Sequence, residues 1–381
     1  MHDRHRRSLE ALARRNRLRA LASRAGLDFS SNDYLGLAAS PALRDAATSA
    51  LARGVALGAG GSRLLRGNHP EHEALEAAAA RHFGAESALF MGGGFAANAA
   101  LFQTLPDRGD LIAFDALIHA SVHDGMNASR AEARAFRHND AQSADDTITA
   151  WRHGGGKGRP WIAVESLYSM DGDRAPLDDM MAVAKRHEGV LVIDEAHATG
   201  VLGERGRGLG AYLEGRPDVI ALHTCGKALG VSGALLTMPR LLSDYMINRA
   251  RGFIYATAPS PLVAAVVRAA LDIAGRSDDL RQRHAALVAH ASVLVRDRLA
   301  VTPSGSHILP VVVRHDERAV RLADALQHAG FDVRAVRPPT VPEGTARLRI
   351  SLTLNVSPDD VSAMVASLAE AMRDVAAERA S

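Results

Sequence analysis

Val190-Leu191-Val192-Ile193-Asp194-Glu195-Ala196-His197 is the stretch that decides the fold. Four apolar residues run into an acid, and a histidine stands three residues beyond that acid. A short run that is apolar at every position reads as a strand buried on both faces, the habit of parallel sheets. A second such run, 219–222, leads into Thr224-Cys225-Gly226-Lys227, which places Lys227 33 residues after Asp194. Working outward, β-like runs at 88–91, 111–114, 161–165 and 233–237 alternate with helical patterns at 71–83, 95–105, 177–187 and 261–273. This alternation predicts an α/β domain with a mostly parallel sheet covered by helices on both faces.

The flanks read differently. Over residues 4–24, Leu9, Leu12, Leu18 and Leu21 recur among arginines and alanines, which predicts one amphipathic helix ended by Gly26. A turn-rich crossing, Phe29-Ser30-Ser31-Asn32-Asp33-Tyr34-Leu35-Gly36, follows. From residue 276 the pattern changes to a long helix over 280–299, then strands near 308–314, 331–336 and 347–352 with helices between and after them. The expected division is a helical arm over 1–40, a large domain over 41–275 and a small α+β domain over 276–381. Gly154 to Gly158 reads as one surface turn, with no internal repeat or low-complexity linker elsewhere.

Composition narrows the function. The chain has 381 residues, 47% hydrophobic and 23% charged, which is ordinary for a globular enzyme. A net charge of +2 implies no nucleic-acid or membrane partner. No apolar run approaches the ~20 residues of a membrane span. The Arg-rich start invites comparison with a transit peptide, but Asp3 and Glu10 interrupt that pattern. The single cysteine, Cys225, excludes an intrachain disulfide framework and fits a reducing compartment, so a cytoplasmic location is expected.

Asp194 and Lys227 in that order, with a phosphate site upstream, are the parts that pyridoxal phosphate requires. The cofactor takes a lysine amine as its Schiff-base partner and a carboxylate facing its ring nitrogen, so that the protonated ring can act as an electron sink. Gly92-Gly93-Gly94-Phe95-Ala96-Ala97-Asn98 follows a short strand and opens a helix, where bare backbone N–H groups can approach a phosphate. His119 follows the strand at 111–114 and can face the pyridine ring or move a proton near neutral pH. Ser169 is a candidate hydrogen-bond partner of the cofactor, and His197 of its phenolic oxygen. Thr224 and Thr257 are candidates for the phosphate, Thr257 from a second subunit. Asp171-Gly172-Asp173 lacks the further ligands of a metal loop and reads as a tight turn. His69 and His72 have no third ligand nearby, so no metal is expected. Cys225 has no base beside it and reads as packing. The acid-box motif of a nucleotide-driven motor also fits 192–197, but such a machine requires an upstream Walker loop, and the chain has none.

In this order the segments resemble the α-oxoamine synthases, a pyridoxal-phosphate family of the aspartate-aminotransferase fold type I. The matching segments are Ser31–Gly36, Gly60-Gly61-Ser62-Arg63, His72-Glu73-Ala74-Leu75-Glu76, Gly94–Asn98, Ser169–Asp173, Asp194–His197 and Gly226-Lys227, spread over most of the chain. The resemblance implies the PLP-dependent transferase fold, an enzyme that joins an amino acid to an acyl thioester with release of CO2, and a homodimer. Arg337-Pro338-Pro339-Thr340-Val341-Pro342 and the following 344–349 look most like the branch serving biotin synthesis. That branch implies L-alanine and a pimeloyl thioester, on CoA or on an acyl carrier protein, as substrates. The alternative is another branch of the family, such as the one forming 2-amino-3-ketobutyrate, with the 5-aminolevulinate and serine palmitoyltransferase branches also open. An inactive relative kept as a binding subunit is the non-enzyme alternative, although it would usually lose the lysine or the ring-facing acid. By resemblance, Lys227, His119 and Asp194 are catalytic. Gly94, Phe95, His119, Ser169, Asp194, His197, Thr224, Lys227 and Thr257 hold the cofactor, and Arg19, Asn32, His119, Thr340 and Arg349 meet the substrate. Arg15 and Arg17 stand behind Arg19 as the choice of arm arginine. The chain departs from the family in a short link before Phe29, where many relatives have a hairpin, and in Cys225 and Ser260.

Overall fold

The computed structural model describes residues 2–21 and 23–377. The chain divides into two compact units. One comprises residues 1–34, 170–173 and 282–381, and the other residues 35–169 and 174–281.

The second unit carries the seven-stranded sheet that the alternating pattern predicts. Across it the strands run Ser87–Met91, Ala234–Met238, Val219–Thr224, Val190–Asp194, Pro160–Glu165, Leu111–Asp115 and Glu132–Phe136. Ala234–Met238 is antiparallel to both its neighbours, and the remaining pairings are parallel. Val190, Leu191, Val192 and Ile193 are all at most 3% exposed. Each such side chain contributes roughly 1.5–3 kcal/mol on burial, so an unbroken apolar run stays between two helical layers. One layer buries Ala97, Leu101 and Phe102 of helix Gly94–Thr104 against Leu89, Val192 and Leu222. The other buries Ile148 and Met180 against Ile162, Leu191 and Ile193.

Glu132–Phe136 is a strand that the sequence pattern does not predict. It is an edge strand, largely exposed, and its Glu-Ala-Arg-Ala-Phe composition lacks an apolar face. Helix Pro41–Ala52 was also missed, although Ser40 caps it by accepting the Leu43 N–H at 3.3 Å and proline opens it.

In the first unit, the helix expected over 4–24 is corrected to Asp3–Arg14. The Arg17 N–H turns back to the Leu12 carbonyl at 2.8 Å and Asn16 takes a φ of 54°, the left-handed conformation that ends helices and that asparagine tolerates. Leu18 and Leu21 lie past that end and are exposed, so their spacing with Leu9 and Leu12 carries no helical face. The strand expected over 331–336 is split. The Val333 N–H bonds the Phe331 carbonyl at 2.9 Å. Phe331–Asp332 then pairs with Leu27–Asp28, while Arg334–Val336 joins a three-stranded antiparallel sheet with Ala346–Ser351 and Ile308–Arg314. Phe29, Leu309, Leu322, Leu348 and Leu368 form the core of this unit.

Candidate active site

Four neighbouring parallel strands end in Asp115, Glu165, Asp194 and Thr224, which brings these side chains to the carboxyl edge of the sheet, where open α/β sheets bind ligands. Asp194 is 7% exposed. Its Oδ1 accepts the Ala196 N–H at 2.9 Å and its Oδ2 accepts Nδ2–H of Asn98 at 2.7 Å. Lys227 Nζ lies 2.8 Å from Nε2 of buried His197. The loop carrying Lys227 is pinned by Cys225 N–H to Gly233 O, Val231 N–H to Cys225 O and Gly230 N–H to Lys227 O. Gly230 has a φ of 68°, and a Cβ there would sit 2.5 Å from the Ala38 nitrogen, so this turn requires glycine.

The glycine run lies at the start of helix Gly94–Thr104, capped by Gly93 with no side chain. A Cβ on Gly92 or Gly93 would meet nothing within 4 Å, and one on Gly94 would lie 3.6 Å from Thr224 Oγ1. The first intrahelical bond is Ala97 N–H to Gly93 O, which leaves the N–H groups of Gly94, Phe95 and Ala96 ahead of it without an intrahelical acceptor. Free donors at a helix N-terminus beside a hydroxyl form a phosphate cradle. Phe95 is 50% exposed and meets the His119 ring edge-on at 6.3 Å.

His119 caps helix Ala120–Asn127, its Nδ1 accepting the Ser121 N–H at 3.2 Å and lying 2.7 Å from Ser121 Oγ. Burial pushes its pKa down; the Asp194 charge opposes this, while Lys227 and His123 reinforce it. Ser169 is buried and its N–H donates to Glu165 Oε2 at 2.9 Å. Burial, and then the Asp194 charge, push the Glu165 carboxyl up, against the opposite pull of Lys227. Thr257 is exposed, on a segment held by Ala258 N–H to Gly61 O at 2.9 Å.

Of the expected substrate residues, Arg19, Asn32, Thr340 and Arg349 belong to the first unit and His119 to the second. Arg349 is 8% exposed, donating from Nη1 to Ser351 Oγ at 2.6 Å and from Nη2 to Asn32 Oδ1 at 3.1 Å. The Tyr34 hydroxyl also donates to Asn32 Oδ1, at 2.9 Å. Arg19 Nη2 donates to Thr340 Oγ1 at 3.1 Å. Arg17 is committed elsewhere, to Asp316 at 2.6 Å and to both oxygens of Glu343 at 2.8 and 2.6 Å.

Asn98, Ser121 and Glu165 are site residues that the sequence reading did not assign. A signal existed for Glu165, which ends its strand in register with Asp194. Asp171 pairs with Arg347 at 2.5 Å and Gly172 turns at a φ of 71°, so that segment is a tight turn. His69 caps helix Pro70–Phe83 and His72 Nε2 bonds the Pro259 carbonyl at 2.7 Å. Among the described residues no cluster of His, Cys, Asp or Glu could hold a metal. Burial raises the Cys225 thiol, which is fully buried.

An amine, a buried carboxylate on the adjoining strand end and a phosphate cradle form the donor set that pyridoxal phosphate needs, and the residues present fit that group. Fold and site together define the class of pyridoxal-phosphate enzymes. The chain belongs to the aminotransferase class I and II family, whose model matches residues 24–368. It is 44% identical over 335 residues to an 8-amino-7-oxononanoate synthase of Chromobacterium violaceum, covering 87% of this chain and 85% of that one. A solved SPT with a PLP internal aldimine has a TM-score of 0.84 at 27% identity, over 91% of this chain and 87% of the other. An 8-amino-7-oxononanoate synthase from Francisella tularensis has a TM-score of 0.78 at 27% identity, over 91% and 98%. Among the described residues no helix is long and apolar enough to cross a membrane.

Proposed function

We propose that this chain catalyses the decarboxylative condensation of L-alanine with a pimeloyl thioester to 8-amino-7-oxononanoate, CO2 and the free thiol carrier, a step of biotin synthesis. The observation that carries this reading is the 44% identity to the Chromobacterium violaceum relative over 87% of the chain.

Bound pyridoxal phosphate supplies an electron sink for the pair left on the alanine Cα when a proton or CO2 departs. Each side chain then has a task. Lys227 holds the cofactor through its amine and afterwards takes and returns the Cα proton at Nζ, with His197 Nε2 2.8 Å away to orient it. Asp194 presents its carboxylate to the ring nitrogen. His119 holds or passes a proton at Nε2. The N–H groups of Gly94 and Phe95, with Thr224 and with Thr257 of the partner subunit, bind the phosphate, and Ser169 and His197 bind the cofactor's remaining polar atoms. Arg349, braced by Asn32, grips the alanine carboxylate. Arg19 and Thr340 meet the far carboxylate of the pimeloyl group, a charge that needs a cation or several donors once partly desolvated. A homodimer accounts for the exposed Leu57, Leu65, Phe95 and Tyr255 of the sheet-bearing unit and for exposed Thr257. In the same reading the chain comprises an arm over 1–40, a large domain over 41–275 and a small domain over 276–381, and it works in the cytoplasm.

The test is a product assay crossing L-alanine, glycine and L-serine with pimeloyl-, acetyl-, succinyl- and palmitoyl-CoA. Alanine with pimeloyl-CoA is expected to dominate. Dominance of glycine with acetyl-CoA would assign the chain to the 2-amino-3-ketobutyrate branch.

A further inference from the structure

Asn98 is 2% exposed and has no task in the proposed reaction, yet it bonds one reactive side chain directly and reaches a second through Ser121. Its Nδ2 donates to Asp194 Oδ2 at 2.7 Å and to Ser121 Oγ at 3.0 Å. Ser121, itself fully buried, continues to His119 Nδ1 at 2.7 Å. The direction of each bond can be deduced. The Ser121 backbone N–H is an obligate donor and meets His119 Nδ1 at 3.2 Å, so Nδ1 is an acceptor and carries no proton. With Nδ1 an acceptor, the 2.7 Å contact requires the Ser121 hydroxyl to donate to it, while the hydroxyl oxygen accepts from Asn98. Neutral His119 then carries its proton on Nε2. The amide orientation of Asn98 is equally determined, since a flip would set its carbonyl against the Asp194 carboxylate. One consequence is visible: Asn98 Oδ1 is buried without a partner among the described residues. An orphaned buried acceptor is destabilising, so its retention needs a compensating role for the two N–H groups on the same amide.

We propose that Asn98 is a positioning residue whose single amide anchors the Asp194 carboxylate and, through Ser121, holds His119 as the tautomer protonated on Nε2. His119 thereby faces the substrate as a neutral donor instead of as a base. The groups around it are Asp194 at the strand end, Lys227 on its loop, His123 on its own helix and the Phe95 ring. None of these bonds to Nδ1; the Ser121 backbone N–H and the Ser121 hydroxyl, which Asn98 supports, together keep the proton on Nε2. The use of this proton in catalysis rests on the alanine–pimeloyl reading, but the test below does not.

The test is NMR of the cofactor-loaded enzyme with 13C,15N-histidine, assigned with His119→Asn, and with visible cofactor absorbance confirming loading of each variant. At pH 7 the parent is expected to show His119 protonated at Nε2. Losing the hydroxyl hydrogen bond that favours the neutral ring should raise the His119 titration midpoint by roughly half to one pH unit in Ser121→Ala. Asn98→Ala should shift it in the same direction, because the hydroxyl then loses the donor that anchors and polarises it toward Nδ1. The double variant should shift no further than either single one, and Ser121→Thr should restore the parent value. A merely structural pair would lower the unfolding temperature and leave the midpoint in place. An Nδ1 tautomer in the parent, an unmoved midpoint in either single variant, or additive shifts in the double variant would overturn the proposal. If Asn98→Ala does not load cofactor, Asn98→Ser takes its place, with the same shift expected and no shift counting against the proposal.

Discussion

Replacing Arg349 by lysine tests the assignment of the amino-acid carboxylate most directly. Arg349 is 8% exposed and its guanidinium is held at both Nη atoms, by Ser351 Oγ at 2.6 Å and Asn32 Oδ1 at 3.1 Å, so its plane is set before any ligand arrives. A planar fork can give a carboxylate two parallel bonds, whereas an ammonium is a point charge that keeps one at best. Loss of one charge-assisted bond amounts to ~1.5–3 kcal/mol, or about 10- to 150-fold in kcat/KM for alanine. The stability effect is smaller and falls unevenly. Asn32 Oδ1 keeps the Tyr34 hydroxyl at 2.9 Å, whereas fully buried Ser351 loses its short contact. The assay is steady-state kinetics with alanine varied at saturating pimeloyl-CoA, then the reverse, beside a thermal unfolding scan. The expected result is a loss confined to the alanine side with the pimeloyl-CoA KM unchanged. An unchanged alanine kcat/KM, or a rise in the acyl donor's KM instead, would refute the assignment.

Three further outcomes are expected. Arg19→Ala should lower kcat/KM for pimeloyl-CoA by about 10- to 150-fold and leave acetyl-CoA turnover nearly unchanged, because only the pimeloyl chain ends in a carboxylate; equal losses on both donors would remove the arm from acyl selection. Mixing inactive Lys227→Ala with Thr257→Ala, with subunit exchange verified, should regain activity through hybrid dimers bearing one intact site, and no regain would place Thr257 in its own chain's site. Burial first, then His223, Arg205, Arg207 and Arg281, push His82 down to about 4. A depressed histidine stabilises the fold above its unfolded value near 6.5 and loses that contribution as pH falls toward 4, so the unfolding temperature should drop across that window and His82→Gln should flatten the drop. Parallel curves for the two proteins would exclude His82 as a contributor.

What the sequence by itself determined was local. The run from Val190 to Asp194 is buried at every position, and its strand and depth follow from composition alone. The glycines before Phe95 were legible for a related reason: a bare helix start demands particular residues within a few positions. The arm helix was legible only in part, because the leucine spacing continued past Asn16 while the backbone did not.

Tertiary structure alone decided which side chains meet. Asn98 and Asp194 stand 96 residues apart in sequence, and Arg17 is taken by Asp316 and Glu343 at separations of 299 and 326. The segment Gly94–Asn98 carries part of the family resemblance, but nothing in the short range around Asn98 shows that its amide meets Asp194. The Glu132–Phe136 strand is equally silent, since an edge strand is held by its neighbour's backbone and needs no apolar pattern of its own. Periodicity reports whether a residue is buried. A hydrogen-bond partner depends on how distant elements pack, and a polar group accepts whichever donor or acceptor that packing brings within about 3 Å.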